Sequence, residues 1–217
     1  MCVPKSETMK KTTLLAFLLL TPLLNASAQE VFKLKNPSFE KDKAGPGIIP
    51  DGWLNMGAPD ESPPDIQPGM FDVTLKAQDG KVYLGLVVRD NNTWEGVGQR
   101  LDGYLKKDSA YTFSLYLARS NSFISMSRAT LQEATYNSPT ILKVWGVNTQ
   151  TQQEELLAES EPVSHSQWTQ YTFTLKPTLA DYDEIDLMAY YAPNFEQRNG
   201  NLLIDNCSLV KKTGNKK

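Results

Sequence analysis

Tyr111-Thr112-Phe113-Ser114-Leu115-Tyr116-Leu117-Ala118 is the stretch that decides the fold class. Tyr111, Phe113, Leu115 and Leu117 recur at every second position, and Thr112, Ser114 and Tyr116 fall between them. A period of two belongs to a strand with one buried face. Tyr171-Thr172-Phe173-Thr174-Leu175 repeats the pattern, with threonine on the wet side. Lys81-Val82-Tyr83-Leu84-Gly85-Leu86-Val87-Val88 is apolar at successive positions and predicts a strand buried on both faces. The same reading predicts strands at residues 93–101, 140–146, 154–159, 186–191 and 201–210. Turn dipeptides such as Asp79-Gly80, Asp102-Gly103 and Asn199-Gly200 punctuate them. About nine short strands with no amphipathic helix from Val31 onward predict an all-β fold, an antiparallel β-sandwich. Two stretches break the pattern. Residues 55–67, with Pro59, Pro63 and Pro64, predict a long surface loop, and residues 120–138 a polar loop with a helical turn near 129–134.

The N-terminus reads differently. Lys10-Lys11, the apolar run from Leu14 to Leu24 and the closing Ala26-Ser27-Ala28 have the layout of a secretory signal peptide over residues 1–28. The apolar run is short for a bilayer span and Pro22 interrupts it. The remainder divides into one β-sandwich domain over residues 29–210 and a basic flexible tail over 211–217. Export to the periplasm, cell surface or medium is the implied location. The full chain carries 22 Lys plus Arg against 25 Asp plus Glu, a net charge of -3, which argues against a basic nucleic-acid binder. Removing residues 1–28 takes away Lys5, Lys10, Lys11, Glu7 and Cys2, so Cys207 remains without a cysteine to pair with inside the chain. The sequence beyond the leader contains no second apolar stretch long enough to cross a membrane.

Several motifs, in order, resemble the carbohydrate-binding-module-like jelly rolls of the galactose-binding-like superfamily. They are Asn36-Pro37-Ser38-Phe39-Glu40 with Gly52-Trp53, then Trp94-Glu95-Gly96-Val97-Gly98-Gln99, Tyr111-Thr112-Phe113-Ser114, Trp168-Thr169-Gln170-Tyr171-Thr172-Phe173 and Leu203-Ile204-Asp205-Asn206. Pro64-Asp65 and Tyr83-Leu84-Gly85 give a narrower resemblance to exported Bacteroidetes-type domains. The resemblance implies a jelly roll, and it implies a structural Ca2+ held by Glu40 and Asp205. A cation of this kind takes six to eight oxygens, so Asp42 and backbone carbonyls would join them. The alternative is that these are separate surface acids, or that one carboxylate is hydrogen-bonded to backbone.

For a ligand, sugar rings offer flat C–H faces to aromatic rings and hydroxyls to polar side chains. In Ile141-Leu142-Lys143-Val144-Trp145-Gly146 the alternation turns Trp145 away from Leu142 and Val144, toward water. Trp94 follows the polar loop Arg89-Asp90-Asn91-Asn92-Thr93. Tyr190 and Tyr191 fall on opposite faces, and Tyr191 is placed in the ligand set. Arg89, Arg119 and Arg128, with Asp65, are expected to form a polar cluster over one face of the sandwich, where arginine can grip vicinal hydroxyls or a uronic carboxylate. Trp145, Trp94, Arg89, Asn91, Arg119, Arg128, Asp65 and Tyr191 are thus the candidate ligand residues.

Catalytic signals are weak. GxSxG is absent, His165 is the single histidine and reads as a surface residue, and nothing pairs Glu40, Asp65, Glu95 and Asp186 by spacing. The expected function is a secreted binding module for a cell-surface or environmental glycan. The alternatives are an envelope structural or adhesion domain with a protein partner, and a small jelly-roll polysaccharide-active enzyme. The leader makes one testable statement: the exported protein begins at Gln29 by intact mass, and retention of residues 1–28 would overturn it.

Overall fold

The computed structural model describes residues 1–2 and 30–213, so residues 3–28 of the expected leader and 214–217 of the expected tail lie outside the described residues. Fourteen strands and no helix are present among them. In chain order the strands are β1 (Val31–Phe32), β2 (Leu54–Asn55), β3 (Asp65–Gln67), β4 (Tyr83–Val88), β5 (Gly96–Leu105), β6 (Tyr111–Ala118) and β7 (Ile124–Met126). They continue with β8 (Glu133–Thr135), β9 (Thr140–Asn148), β10 (Gln153–Glu159), β11 (Thr169–Leu175), β12 (Tyr182–Tyr191), β13 (Gly200–Asp205) and β14 (Val210–Lys212).

These strands make an antiparallel β-sandwich of the jelly-roll type. One sheet centres on β6, with β11 on one side and β13 and β14 in succession on the other. Beyond β13 come β4 and β3, and beyond β14 comes β1. The second sheet has the order β10-β9-β12-β5-β2. The main core lies between them. Phe113, Leu115 and Leu117 of β6 and Leu84, Leu86 and Val88 of β4 meet Leu142 and Val144 of β9 and Ile185, Leu187 and Ala189 of β12. The alternation in β6 therefore does what a half-buried strand requires.

β4 is buried on both faces because the first sheet has a cover. Its outward residues Tyr83 and Val87 join Val73, Phe123, Tyr136 and Leu203 in a second apolar cluster. The cover comes from the stretch read as a polar loop with a helical turn. It is a β-hairpin instead, β7 against β8, with Ile124 opposite Thr135. Phe123 and Tyr136 flank the two strands and pack on each other with ring centroids 5.4 Å apart. Residues 55–67 also depart from expectation. Asp65-Ile66-Gln67 is a buried edge strand on β4, and Ile66 is fully enclosed. The strand expected over 201–210 breaks at 206–209, where Asn206 adopts a positive φ of 50°. Cys207 is buried in the main core, and burial holds its thiol well above the ordinary range.

Among the described residues the second sheet has no second apolar cluster of this kind over its outer face. Its outer face carries a short-side-chain lane: Gly96 and Gly98 of β5 face outward between Val97 and Gln99, which face in. The lane runs beside β12, whose outward residues are Glu184, Asp186, Met188 and Tyr190.

Candidate functional site

The register of the second sheet lines up its outward side chains. Leu156 of β10 lies opposite Trp145 of β9, Trp145 opposite Asp186 of β12, Asp186 opposite Gly98 of β5, and Gly98 opposite Leu54 of β2. This row crosses the whole sheet and ends in leucines that are 39% and 47% exposed. The neighbouring row sets Lys143 opposite Met188 and Met188 opposite Gly96. The outcome is a groove of about 280 Å³ lined by Met56, Trp94, Trp145, Glu154, Asp186, Met188 and Tyr190. Past Trp94 and Met188 it adjoins a hollow of about 300 Å³ bounded by Gly57, Ala58, Asn92 and Thr93.

Two glycines let the side chains of Asp186, Met56 and Met188, which line the groove, settle down onto β5. A Cβ on Gly98 would fall 2.3 Å from Asp186 Oδ1, and one on Gly96 would fall 2.9 Å from Met188 Cγ. Glycine in a strand interior marks this kind of close approach. The aromatic wall is assembled from different strands. Trp94 tilts against Tyr190 with centroids 4.5 Å apart, and Lys143 Nζ stands 4.0 Å from the Tyr190 ring centre.

Two polar atoms in this groove have no hydrogen-bond partner, although buried ones almost always do. They are Asp186 Oδ1 and Trp145 Nε1, an acceptor and a donor on directly opposed residues. Asp186 is only 4% exposed. Burial, reinforced by the charges of Glu184 and Glu154, pushes its carboxyl up to about 7. The site therefore presents an apolar stacking surface around a polar centre that lacks a partner.

Trp145 and Trp94, chosen from the sequence, are both in this groove. The rest of the expected ligand set lies elsewhere. Tyr191 is corrected: it faces the main core, and its hydroxyl donates to the Arg89 carbonyl, while Tyr190 takes the groove position. The two alternate on β12, and the sequence alone does not say which face is which. Arg89 is also corrected. Its guanidinium is buried on the side of the first sheet, ion-paired with Glu95 and donating to Ser62 Oγ at 2.9 Å. Asp65, Arg89 and Arg128 do come together around a cavity of about 70 Å³ that Phe71, Phe123 and Tyr136 also line. There Asp65 accepts the Gly47 N–H at 3.0 Å, and burial pushes its carboxyl up to about 6. Arg128 and Asn91 both donate to Glu61, at 2.8 and 2.7 Å. Arg119 is apart from both places and donates to the Asn137 carbonyl.

The acids assigned to Ca2+ converge on one loop. Glu40 accepts the N–H groups of Lys81 and Val82 at 2.9 and 3.1 Å. Asp205 accepts those of Gln78 and Asp79 at 2.8 and 3.0 Å, and that of Asn206 at 2.7 Å. Asp42 sits beside Glu40 on an open hollow of about 540 Å³ that also holds Lys41, Lys43 and Lys81. Among the described residues no three His, Cys, Asp or Glu side chains converge as a metal site would require. His165 bonds Tyr171 Oη at 3.0 Å and the Gln167 carbonyl at 2.8 Å. Trp53 is in the core, whereas Trp168 lies partly exposed over Tyr83.

The fold places the chain in the class of jelly-roll β-sandwiches. A cyclase from Fischerella sp. TAU superposes with a TM-score of 0.54 and 14% identity, covering 85% of this chain and 98% of the cyclase. The K2 cleaved adhesin domain of Lys-gingipain superposes at 0.50 and 12% identity, covering 86% and 100%. The CBM22-1 xylan-binding domain of Paenibacillus barcinonensis Xyn10C does so at 0.49 and 15%, covering 86% and 97%. At these identities the likeness concerns the fold alone. No protein-family model matches the chain, and neither does any curated protein. The narrower likeness to exported Bacteroidetes-type domains finds no support in these comparisons. No helix among the described residues is long and apolar enough to cross a membrane.

The Asp186 carboxyl makes stability depend on pH. Its pKa in the fold, about 7, lies above the ordinary 3.8, so between those values the folded chain holds a proton that the unfolded chain has lost. Its contribution is therefore complete below about pH 4 and is lost as pH rises through 7. Asp186→Asn should flatten this decline and be more stable than wild type at pH 8, by roughly 1.4 kcal/mol per pKa unit removed. Asp65 and Asp205, both pushed up to about 6, leave a residual slope. Urea unfolding across the pH range measures it, and identical pH profiles for the two proteins would contradict it.

Proposed function

We propose that this chain is an exported, non-catalytic binding module whose ligand is a glycan laid along the outer face of the second sheet. The observation that carries the reading is the groove itself. Trp145 and Trp94 line it, with Tyr190 packed behind Trp94, and Asp186 Oδ1 and Trp145 Nε1 lack hydrogen-bond partners. A hydroxyl can donate to the carboxylate and accept from the indole N–H. The C–H face of the same ring can cover the aromatic surface, which is the usual division of labour in a small-molecule site. The reading rests on this groove and not on the ligands of the fold neighbours.

Trp145→Ala tests the role of the wall. Loss of one stacking contact is worth about 0.5–1.5 kcal/mol beyond area burial, so affinity for a bound glycan should fall about tenfold. Because Trp145 is only half-buried, the melting temperature should change little. Affinity by titration calorimetry and melting by calorimetry separate the cases. A large drop in melting temperature with unchanged affinity in the folded fraction would make Trp145 a packing residue and sink the reading.

A structural Ca2+ at Glu40 and Asp205 is a separate proposal. The side chains there supply fewer oxygens than the ion takes, and several already accept backbone N–H groups, so carbonyls would have to complete the shell. A melting midpoint higher in Ca2+ than in EDTA, with the difference lost in Asp205→Asn, supports it; equal midpoints exclude it.

A further inference from the structure

The groove has a sign of charge as well as a shape. Three carboxylates lie on its side of the sheet: Asp186 of β12 and Glu154 of β10 line the groove, and Glu184 is the next outward residue on β12. Two cations face the same sheet surface. Arg100 of β5 is committed to Glu184, with Nε 3.5 Å from Oε2. Lys143 of β9 stands over the Tyr190 ring, one row away from Asp186. Among the described residues neither Asp186 nor Glu154 belongs to an ion pair. Asp186 is nine-tenths buried, it lines the groove, and its Oδ1 has no hydrogen-bond partner. A carboxylate removed from water with no cation beside it is costly, and a cationic donor offsets that cost more than a neutral one does. Aromatic rings flank the same spot, and a desolvated cation is also drawn to ring faces. An anionic sugar would bring a fourth negative charge to this surface.

Resting on the glycan reading above, we propose that the groove selects an amino-bearing glycan, with the ammonium of a hexosamine unit on Asp186 and Glu154 beside it, and that it rejects polyuronates. The ammonium goes to the Asp186 carboxylate, and the C–H face of the ring covers the Trp145 indole. Neutral glycans keep the stacking and the hydroxyl contacts but lose the charged bond.

Three oligosaccharides of equal length serve as probes in calorimetric titrations of the full exported protein near neutral pH: β-1,4-linked glucosamine, its N-acetylated counterpart and a polygalacturonate. A hydrogen bond to a charged group exceeds a neutral one by enough to make the glucosamine oligomer about tenfold tighter than the acetylated one. The polygalacturonate should bind weakest. Added salt should erode the glucosamine preference and leave the acetylated oligomer nearly unaffected. Asp186→Asn should abolish the preference, bringing the glucosamine oligomer down to the affinity of the acetylated one, and exposed Glu154→Gln should reduce the preference without touching the fold. Equal or tighter binding of the acetylated oligomer, or a preference that survives Asp186→Asn, overturns the amino selectivity and leaves the glycan reading standing. Failure of all three to bind, with a well-folded protein, overturns both.

Discussion

Glu95 is held by both sheets at once, and much of the molecule's geometry depends on that. Its carboxylate accepts the Val87 N–H of β4 and pairs with Arg89, while its backbone bonds Val87 on one side and Ala189 of β12 on the other. Here the chain leaves the first sheet and enters the second. Burial drives the Glu95 carboxyl upward, and the guanidinium and the Val87 N–H oppose that. Removing one member of such a pair leaves an uncompensated buried charge, a loss of about 3–5 kcal/mol. With Glu95 fixed, the residue before it turns the other way, and Trp94 is delivered to the groove. The buried ion pair and the aromatic wall are thus the two sides of one corner.

How far this could be read from sequence depended on strand length. β6, β9 and β12 are eight to ten residues long, so alternation had room to register, and it placed Trp145 on the outer face of its strand. β3, β7 and β8 have three residues each, too few to show a period. Their apolar anchors, Ile66, Phe123 and Tyr136, are scattered among prolines and polar residues, and only the sheet behind them explains their burial. Tyr190 and Tyr191 show the complementary difficulty, since alternation fixes that they diverge but not which one meets the core.

Asp186 carried little signal as a ligand residue. It belongs to a strand whose inward residues are strongly apolar, and its acid neighbours in space, Glu154 and Glu184, include one that is distant in sequence. The usable sign was Gly96-Val97-Gly98, two glycines at strand spacing. Such a pair on one face means that something approaches that face closely. Arginine in a polar loop was a poorer guide, because Arg89, Asp65 and Arg128 are spent on one another's neighbourhood. The same fold serves a cyclase and an adhesin domain, so architecture could not have decided the function.

The row from Leu156 to Leu54 has a consequence for valency. It crosses five strands, a width of about 19 Å at the usual spacing between strands. Exposed leucines on the edge strands stand at its two ends. A site on the face of a sheet asks nothing of the termini of the polymer proposed as its ligand, so internal segments qualify as well as ends. Copies of the chain could then queue along one strand of polymer without competing for its tips, and weak individual contacts would add up wherever several copies share a carrier.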